Sequence, residues 1–246
     1  FSFGVEQEFY LFKLDENGNP TREAYDKAGY MDIAPDDRGE NIRREICLTL
    51  EQMGIRPERS HHEEGPGQNE VSIRYSDALT AADNAQTFQT VVRTVAHRNG
   101  LYADFSAKPL ENEPGNSFHI NMSVKSREGA DYLHYMIAGI LDKIEEMTAF
   151  LNPTENSYKR FGSYKAPRYI SWSSENRSQL IRVPAAYGEY ERAELRSPDP
   201  STNPYIAFAL LIYAGLYGIK SRLELPVAAD YNLYKADPDT LSRFRQ

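Results

Sequence analysis

The sequence has one cysteine, no long apolar run, no basic tract and none of the glycine-rich signatures that usually cradle nucleotides. Each absence removes a class of protein. A lone Cys47 rules out a disulfide framework and fits a reducing, cytoplasmic setting. The longest apolar run, IAFALLIYAGLYGI at 206–219, falls short of the ~18 residues expected of a membrane span. No signal peptide precedes the first predicted strand. A net charge of −8 without a basic run or basic helix argues against nucleic acid or an anionic membrane as partner. With neither a P-loop nor a dinucleotide-binding glycine motif, a nucleotide here must be held by the sheet itself. Repeats and low-complexity segments are also missing.

What is present suffices for a large core: 246 residues, 40% apolar and 26% charged, as one large domain or two small ones. Residues 3–12 read as a strand, followed by a turn in DENGNPT. ENIRREICLTLEQMG (40–54) places Ile42, Ile46, Leu50 and Met53 at helical spacing and stops on Gly54. NEVSIRY (69–75) alternates as a strand, after which Asp77 caps a helix running to Asn99 and closed by Gly100. SFHINMSV (117–124) alternates again, before a helix around 130–150 and an irregular stretch at 152–169. Short strands near 168–183 and 190–197 follow, then a helix opened by Asn203 and Pro204. This order predicts an α+β layer, an antiparallel-rich sheet with helices on one side.

The stretch VEQEFYLF puts Glu6 and Glu8 on one face of an extended chain. Two like charges there require either solvent or a positive charge between them. Three further strands repeat the pattern. Val71, Ile73 and Tyr75 oppose Glu70, Ser72 and Arg74; Phe118, Ile120 and Met122 oppose His119, Asn121 and Ser123; Ala193 and Leu195 oppose Arg192, Glu194 and Arg196. A sheet wet on one side gives the same alternation, but its polar face is ordinarily Thr, Lys, Ser and Gln. Glu6, Glu8, Glu63, Glu70 and Glu194 with His119 suit hard divalent ions, Mg²⁺ or Mn²⁺, better than zinc. Arg177, Arg182, Arg192 and Arg196 suit an anionic substrate, and the combination describes phosphoryl transfer.

Six segments then carry a resemblance: VEQEFYLF, SHHEEGPGQNE (60–70), SFHINMS (117–123), NPTENSYKR (152–160), NRSQLIRVP (176–184) and ERAELRSPDPSTNPY (191–205). Their sequence and order resemble the catalytic domain of the glutamine synthetase family, over nearly the whole chain. The resemblance implies a curved, mostly antiparallel sheet of glutamine synthetase/guanido kinase-like type. It implies glutamine formation from glutamate, ammonia and ATP through a γ-glutamyl phosphate. One metal is then expected on Glu8, Glu63 and Glu70, and another on Glu6, His119 and Glu194. Arg177 and Arg182 match arginines facing the transferred phosphoryl group. Arg160, Arg196 and Gly115 match the glutamate site, and Ser123, Arg192 and Tyr75 the nucleotide pocket. Arg74 and Glu64 match nothing and read as surface or salt-bridge residues. His61 and His62 read as loop or supporting histidines, and Tyr234 as structural.

The chain departs from that family's pattern in three ways. The flap carries Lys165 where the family has a glutamate that takes a proton from ammonium, and the loop after Arg160 is one residue shorter. A lysine near its usual pKa of ~10.4 is a poor base for ammonium and repels it. Pro114-Gly115 replaces Asn-Gly in the substrate loop. The amino-terminal β-grasp domain is not in the sequence, which opens on a strand like an excised domain lacking a carboxy-terminal extension as well. The expectation is a carboxylate–amine ligase using ATP and two or more Mg²⁺ or Mn²⁺ ions, homo-oligomeric at full length. A γ-glutamyl ligase for another amine, or a non-catalytic homologue binding metal and nucleotide, are the alternatives.

Overall fold

The computed structural model describes residues 1–126, 132–185 and 191–246. Its central strand β1 (Ser2–Leu14) is flanked on one edge by β4 (Gln68–Asp77) and on the other by β6 (Phe118–Ser123). Further out lie β3 (Pro57–His62) beyond β4, and β9 (Ala193–Leu195), β8 (Ile181–Arg182) and β7 (Trp172–Ser173) beyond β6. Strands β2 (Pro20–Ala24) and β5 (Leu101–Asp104) pair with the far end of β1. All described pairings are antiparallel except β7 with β8.

The predicted mixed sheet-and-helix architecture is therefore the observed one. β2, β3 and β5 were not legible as strands: β2 and β3 are polar and largely exposed, and β5 is only four residues long. The irregular stretch 152–169 contains a one-turn helix, α4 (Glu155–Tyr158), opened by a capping box from Thr154. The starts predicted at 130 and 190 lie outside the described residues.

One face of the sheet is apolar and carries the helices. Phe3, Val5, Phe9 and Leu11 of β1 join Val71, Ile73, Phe118 and Ile120 in one buried cluster. The cluster takes in α1 (Glu40–Gln52), α2 (Ala78–Arg98), α3 (Leu133–Leu151) and α5 (Pro204–Ser221). In α1 the stripe Ile42, Ile46 and Leu50 is buried, but Met53 lies past the last turn and is exposed. Asp77 accepts hydrogen bonds from the amides of Leu79 and Thr80, the predicted cap of α2. Asn203 does the same for α5, with Pro204 in its first turn.

The apolar run read as too short for a membrane extends into an 18-residue helix, long and apolar enough to cross one by length and composition. In this structure α5 packs on α3, burying Ala207, Phe208, Leu211 and Ala214. The two helices touch backbone to backbone. A Cβ on Gly139 would stand 2.2 Å from the carbonyl oxygen of Ala214, and one on Gly218 2.0 Å from that of Tyr135. Only glycine permits that approach. Gly218→Ala is expected to lower stability by about 1–3 kcal/mol through overpacking. Thermal unfolding measures it, and an unchanged midpoint would mean the helices separate freely.

Candidate active site

The other face of the sheet carries the polar residues, and strand register brings them together. Glu8 lies directly opposite Glu70, which lies opposite His61. Glu6 lies opposite His119 on the other side of β1, and Glu194 opposite both Asn121 and Arg182. Parity had given one face per strand, and pairing turns four faces into one floor. Ligand atoms of Glu6, Glu70 and His119 lie within 4.8 Å of one another, as do those of His61, Glu63 and Glu70. Glu194 joins the first group, its Oε1 3.6 Å from His119 Nδ1, while Glu6 Oε2 is 3.4 Å from the same atom. All six predicted metal ligands line one cavity of about 680 Å³.

The protein balances the charge in this floor around Glu6 and Glu194 but not around Glu8 and Glu70. Burial, followed by the charges of Glu6, Glu8, Glu63 and Glu194, pushes the Glu70 carboxyl well above the usual carboxylate range. Burial and then Glu63 raise Glu8 to about 8, although it accepts the Ser117 amide at 2.8 Å and the Gln68 amide at 3.1 Å. Burial also opposes ionisation of Glu6, but His119 and the Asn121 amide (2.9 Å) outweigh it and hold this carboxyl down at about 2. At Glu194 the same burial is overcome by Arg196 first and His119 next, keeping it below its ordinary value. Burial and then Arg196 push the His119 ring towards its neutral, metal-binding form. Its Nδ1 is buried without a hydrogen-bond partner among the described residues while facing two carboxylates. An orphaned imidazole nitrogen amid crowded carboxylates is what a hard divalent cation satisfies.

Arginines stand along the same cavity. Arg182 donates Nη1 to Glu194 at 2.9 Å and Nε to the Glu175 carbonyl at 3.1 Å. Arg196 pairs with Glu194 and donates Nε to the Arg177 carbonyl at 3.2 Å. Arg177 reaches the Tyr30 hydroxyl at 3.3 Å. Arg160 is placed differently: its side chain is 1% exposed, bonded to the Ser197 carbonyl (2.9 Å) and the Ser117 hydroxyl (3.0 Å). It lies behind Gly115, where a Cβ would stand 2.5 Å from its Cγ, so here it supports the cavity wall. Gly115 and Pro114 line the cavity, their carbonyls taken by Gln68 (3.1 Å) and Tyr10 (2.7 Å). Tyr234, on a 3₁₀ turn, has its hydroxyl pushed up to about 12 by burial against the pull of Arg196 and Arg160.

Tyr75, Ser123 and Arg192 line a second cavity of about 350 Å³, which shares Glu6, Glu58, Arg59 and Arg192 with the first. Arg74 is exposed, as its surface reading expected, and also stands at the wall of this cavity, over the Tyr75 ring at 5.9 Å. Arg192 donates Nε to Asn121 Oδ1 at 2.9 Å, so one amide joins Arg192 to Glu6. His62 is fully buried between Asp26 Oδ1 (2.9 Å) and the Glu63 carbonyl (2.7 Å), a supporting role as expected. His61 sits closer than expected, 2.8 Å from Glu63 and 4.0 Å from Glu70. Tyr30, Glu58 and Arg59 were missed because they sit in a loop and on a polar edge strand without periodicity. Asn121 and Gln68 share the parity of His119 and Glu70, so that signal existed.

Residues 1–246 match, end to end, the family described as glutamine synthetase, catalytic domain. The glutamine synthetase of Clostridium saccharobutylicum is 48% identical over 244 residues, covering 94% of this chain and 55% of that protein. That of Staphylococcus aureus is 48% identical over 248 residues, covering 96% and 56%. Among solved structures, Plasmodium falciparum glutamine synthetase superposes with a TM-score of 0.82 at 28% identity, covering 92% of this chain and 53% of its own. A GmaS–ADP complex gives 0.83 at 30% identity, covering 95% and 58%. The chain thus spans about half the length of the curated relatives it matches. A match over every residue, relatives at this identity and a shared fold place the chain in the glutamine synthetase catalytic-domain family.

Proposed function

We propose that this chain is the catalytic part of an ATP-dependent carboxylate–amine ligase that forms glutamine from glutamate and ammonia. The observation that carries the reading is the convergence of Glu6, Glu8, Glu63, Glu70, His119 and Glu194 on one arginine-lined cavity. Glu8, Glu63 and Glu70 would hold one Mg²⁺ or Mn²⁺ and Glu6, His119 and Glu194 another, with Glu70 close to both groups. Bound there, such ions neutralise charge on the triphosphate and the transferring phosphoryl group.

The chain's own residues do the rest. The nucleotide base and sugar occupy the smaller cavity beside Tyr75, Ser123 and Arg192, and the phosphates pass Glu6 into the larger one. Arg177 and Arg182 supply fixed positive charge where the γ-phosphoryl group moves. Glutamate lies at the Gly115 end beside Arg196, with Arg160 and Ser117 bracing that wall. A carboxylate oxygen of glutamate attacks the γ-phosphorus and ADP leaves. The amine then attacks the acyl carbon, phosphate leaves, and the nitrogen loses its proton. The loop 160–167, with Lys165 over the cavity, keeps water from the acyl phosphate.

At full length the protein acts as a cytoplasmic homo-oligomer carrying the amino-terminal and carboxy-terminal parts that lie outside this sequence. The outward side chains of α5 (Tyr213 at 80% exposure, with Ile206 and Tyr217) support an assembled state. The test is phosphate release by full-length protein with ATP, glutamate and Mg²⁺ or Mn²⁺, screening ammonium against organic amines. Release with ammonium is expected. Nucleotide binding without release with any amine would leave only the non-catalytic alternative.

A further inference from the structure

Glu8, expected on one of the two metal ions, is held by only one of its oxygens. Among the described residues both hydrogen bonds it accepts fall on Oε2, from the Ser117 amide at 2.8 Å and from Gln68 Nε2 at 3.1 Å. Oε1 is left for a cation, so these two donors fix which oxygen can bind it. Gln68 is 1% exposed and stands directly opposite Tyr10 in the pairing of β4 with β1. Its Nε2 also lies 3.1 Å from the Gly115 carbonyl oxygen and 3.4 Å from Asn116 Oδ1, while its Oε1 accepts the Gly65 amide at 3.0 Å. A donor on one side and only acceptors on the other leave the amide one way round. The Tyr10 hydroxyl donates to the Pro114 carbonyl at 2.7 Å, so this cross-strand pair holds two consecutive carbonyls of the substrate loop.

One side-chain amide thus reaches, at equal distance, a carboxylate of the metal-binding floor and the main chain beside the glutamate position. Packing alone needs no such group, because an aliphatic side chain fills the same space without a buried amide to satisfy. We propose that Gln68 is a positioning residue for both halves of the site: through Glu8 Oε2 it orients a metal ligand, and through the Gly115 carbonyl it holds the wall against which glutamate binds. The inference rests on the ligase reading and deepens it. Partners behind a metal ligand set its orientation, and losing one costs about 10–100-fold in metal affinity. Ser117 stays in place when Gln68 is changed, since its amide is main chain and its hydroxyl is held by Arg160 at 3.0 Å. Glu8 then keeps one of its two donors and can turn about it, presenting either oxygen to the cation. The Gly115 carbonyl loses its partner, whereas Pro114 keeps Tyr10, and Asn116 keeps the carbonyls of Asp104 and Ser106. The loss is confined to one carboxylate and one peptide group, and the fold survives it.

The experiment uses full-length protein without nucleotide or turnover. Titration calorimetry measures Mn²⁺ binding first, then L-glutamate binding with Mn²⁺ saturating. Gln68→Met keeps the length of the side chain and removes the amide, and Gln68→Asn keeps an amide one carbon back. Gln68→Met is expected to weaken Mn²⁺ binding about tenfold and L-glutamate binding about fivefold, with Gln68→Asn between it and wild type. In a Glu8→Gln background the Mn²⁺ effect is expected to vanish, since its carrier is gone, while the glutamate effect persists through Gly115. A space-filling Gln68 would lower the thermal midpoint and leave both affinities of the folded variants at the wild-type level. That result overturns the proposal, as does an Mn²⁺ effect that survives undiminished in the Glu8→Gln background. A wild type that binds Mn²⁺ but no L-glutamate would reject the ligase reading, while a tenfold Mn²⁺ loss in Gln68→Met would still uphold the link to Glu8.

Discussion

Glu70→Gln in the full-length protein is expected to reduce metal-dependent phosphate release by about 10²–10³-fold while raising the thermal midpoint of the metal-free protein. The two effects have one origin. Glu70 is 6% exposed, directly opposite Glu8, and the one carboxylate shared by the two groups of ligand-distance side chains in the cavity floor among the described residues. With no cation present it is a buried acid surrounded by acids, which pushes its proton affinity well above the usual range. A neutral amide of the same shape removes that repulsion. Function–stability trade-offs of this kind run to about 1–2 kcal/mol, or roughly 2–8 °C for a chain this long. The same substitution removes one ligand from each group, so the midpoint rise that Mg²⁺ or Mn²⁺ gives wild type by mass action should shrink or vanish. A lowered metal-free midpoint would show Glu70 to be a structural hydrogen-bonding residue. Undiminished phosphate release would separate the floor from the chemistry.

Strand parity and residue type carried the sequence reading as far as that floor. Glu6, Glu8, Glu70, His119 and Glu194 could each be assigned to the polar face of a strand, because alternation is local and a buried apolar face pins it. The resemblance grouped those side chains by metal. Spacing along one chain could not show that Glu70 stands near both groups, since the register of β1 against β4 and β6 is set by cross-strand pairing. Arg160 was legible as a site residue but not as a buried one, because its burial depends on Gly115 and Ser117 closing over it. Lys165 was legible only as a departure, and its partners Glu64 and Tyr30 come from two unrelated loops without a periodic pattern. Loops converge through tertiary packing, and composition alone does not encode which tips meet.

Arg196→Met removes a positive charge from the same hollow and is expected to act in the opposite direction. Glu194 is 2% exposed and draws on two guanidinium groups, Arg196 and, at 2.9 Å, Arg182. Arg182 is the more exposed of the two, so Arg196 is the partner that burial makes strong. Methionine fills much of the volume and leaves Glu194 short of one charged hydrogen bond, while the Arg177 carbonyl loses its Nε donor. A deficit of about 2–3 kcal/mol follows for the metal-free protein, or roughly 4–12 °C in thermal midpoint. If Glu194 is a metal ligand, an added divalent cation takes over part of the lost neutralisation, and the gap between variant and wild type narrows. A gap that stays constant as Mg²⁺ or Mn²⁺ is titrated would make Glu194 a structural counter-ion only. The cation beside His119 would then rest on Glu6 and Glu70, whose ligand atoms already lie within 4.8 Å of the ring.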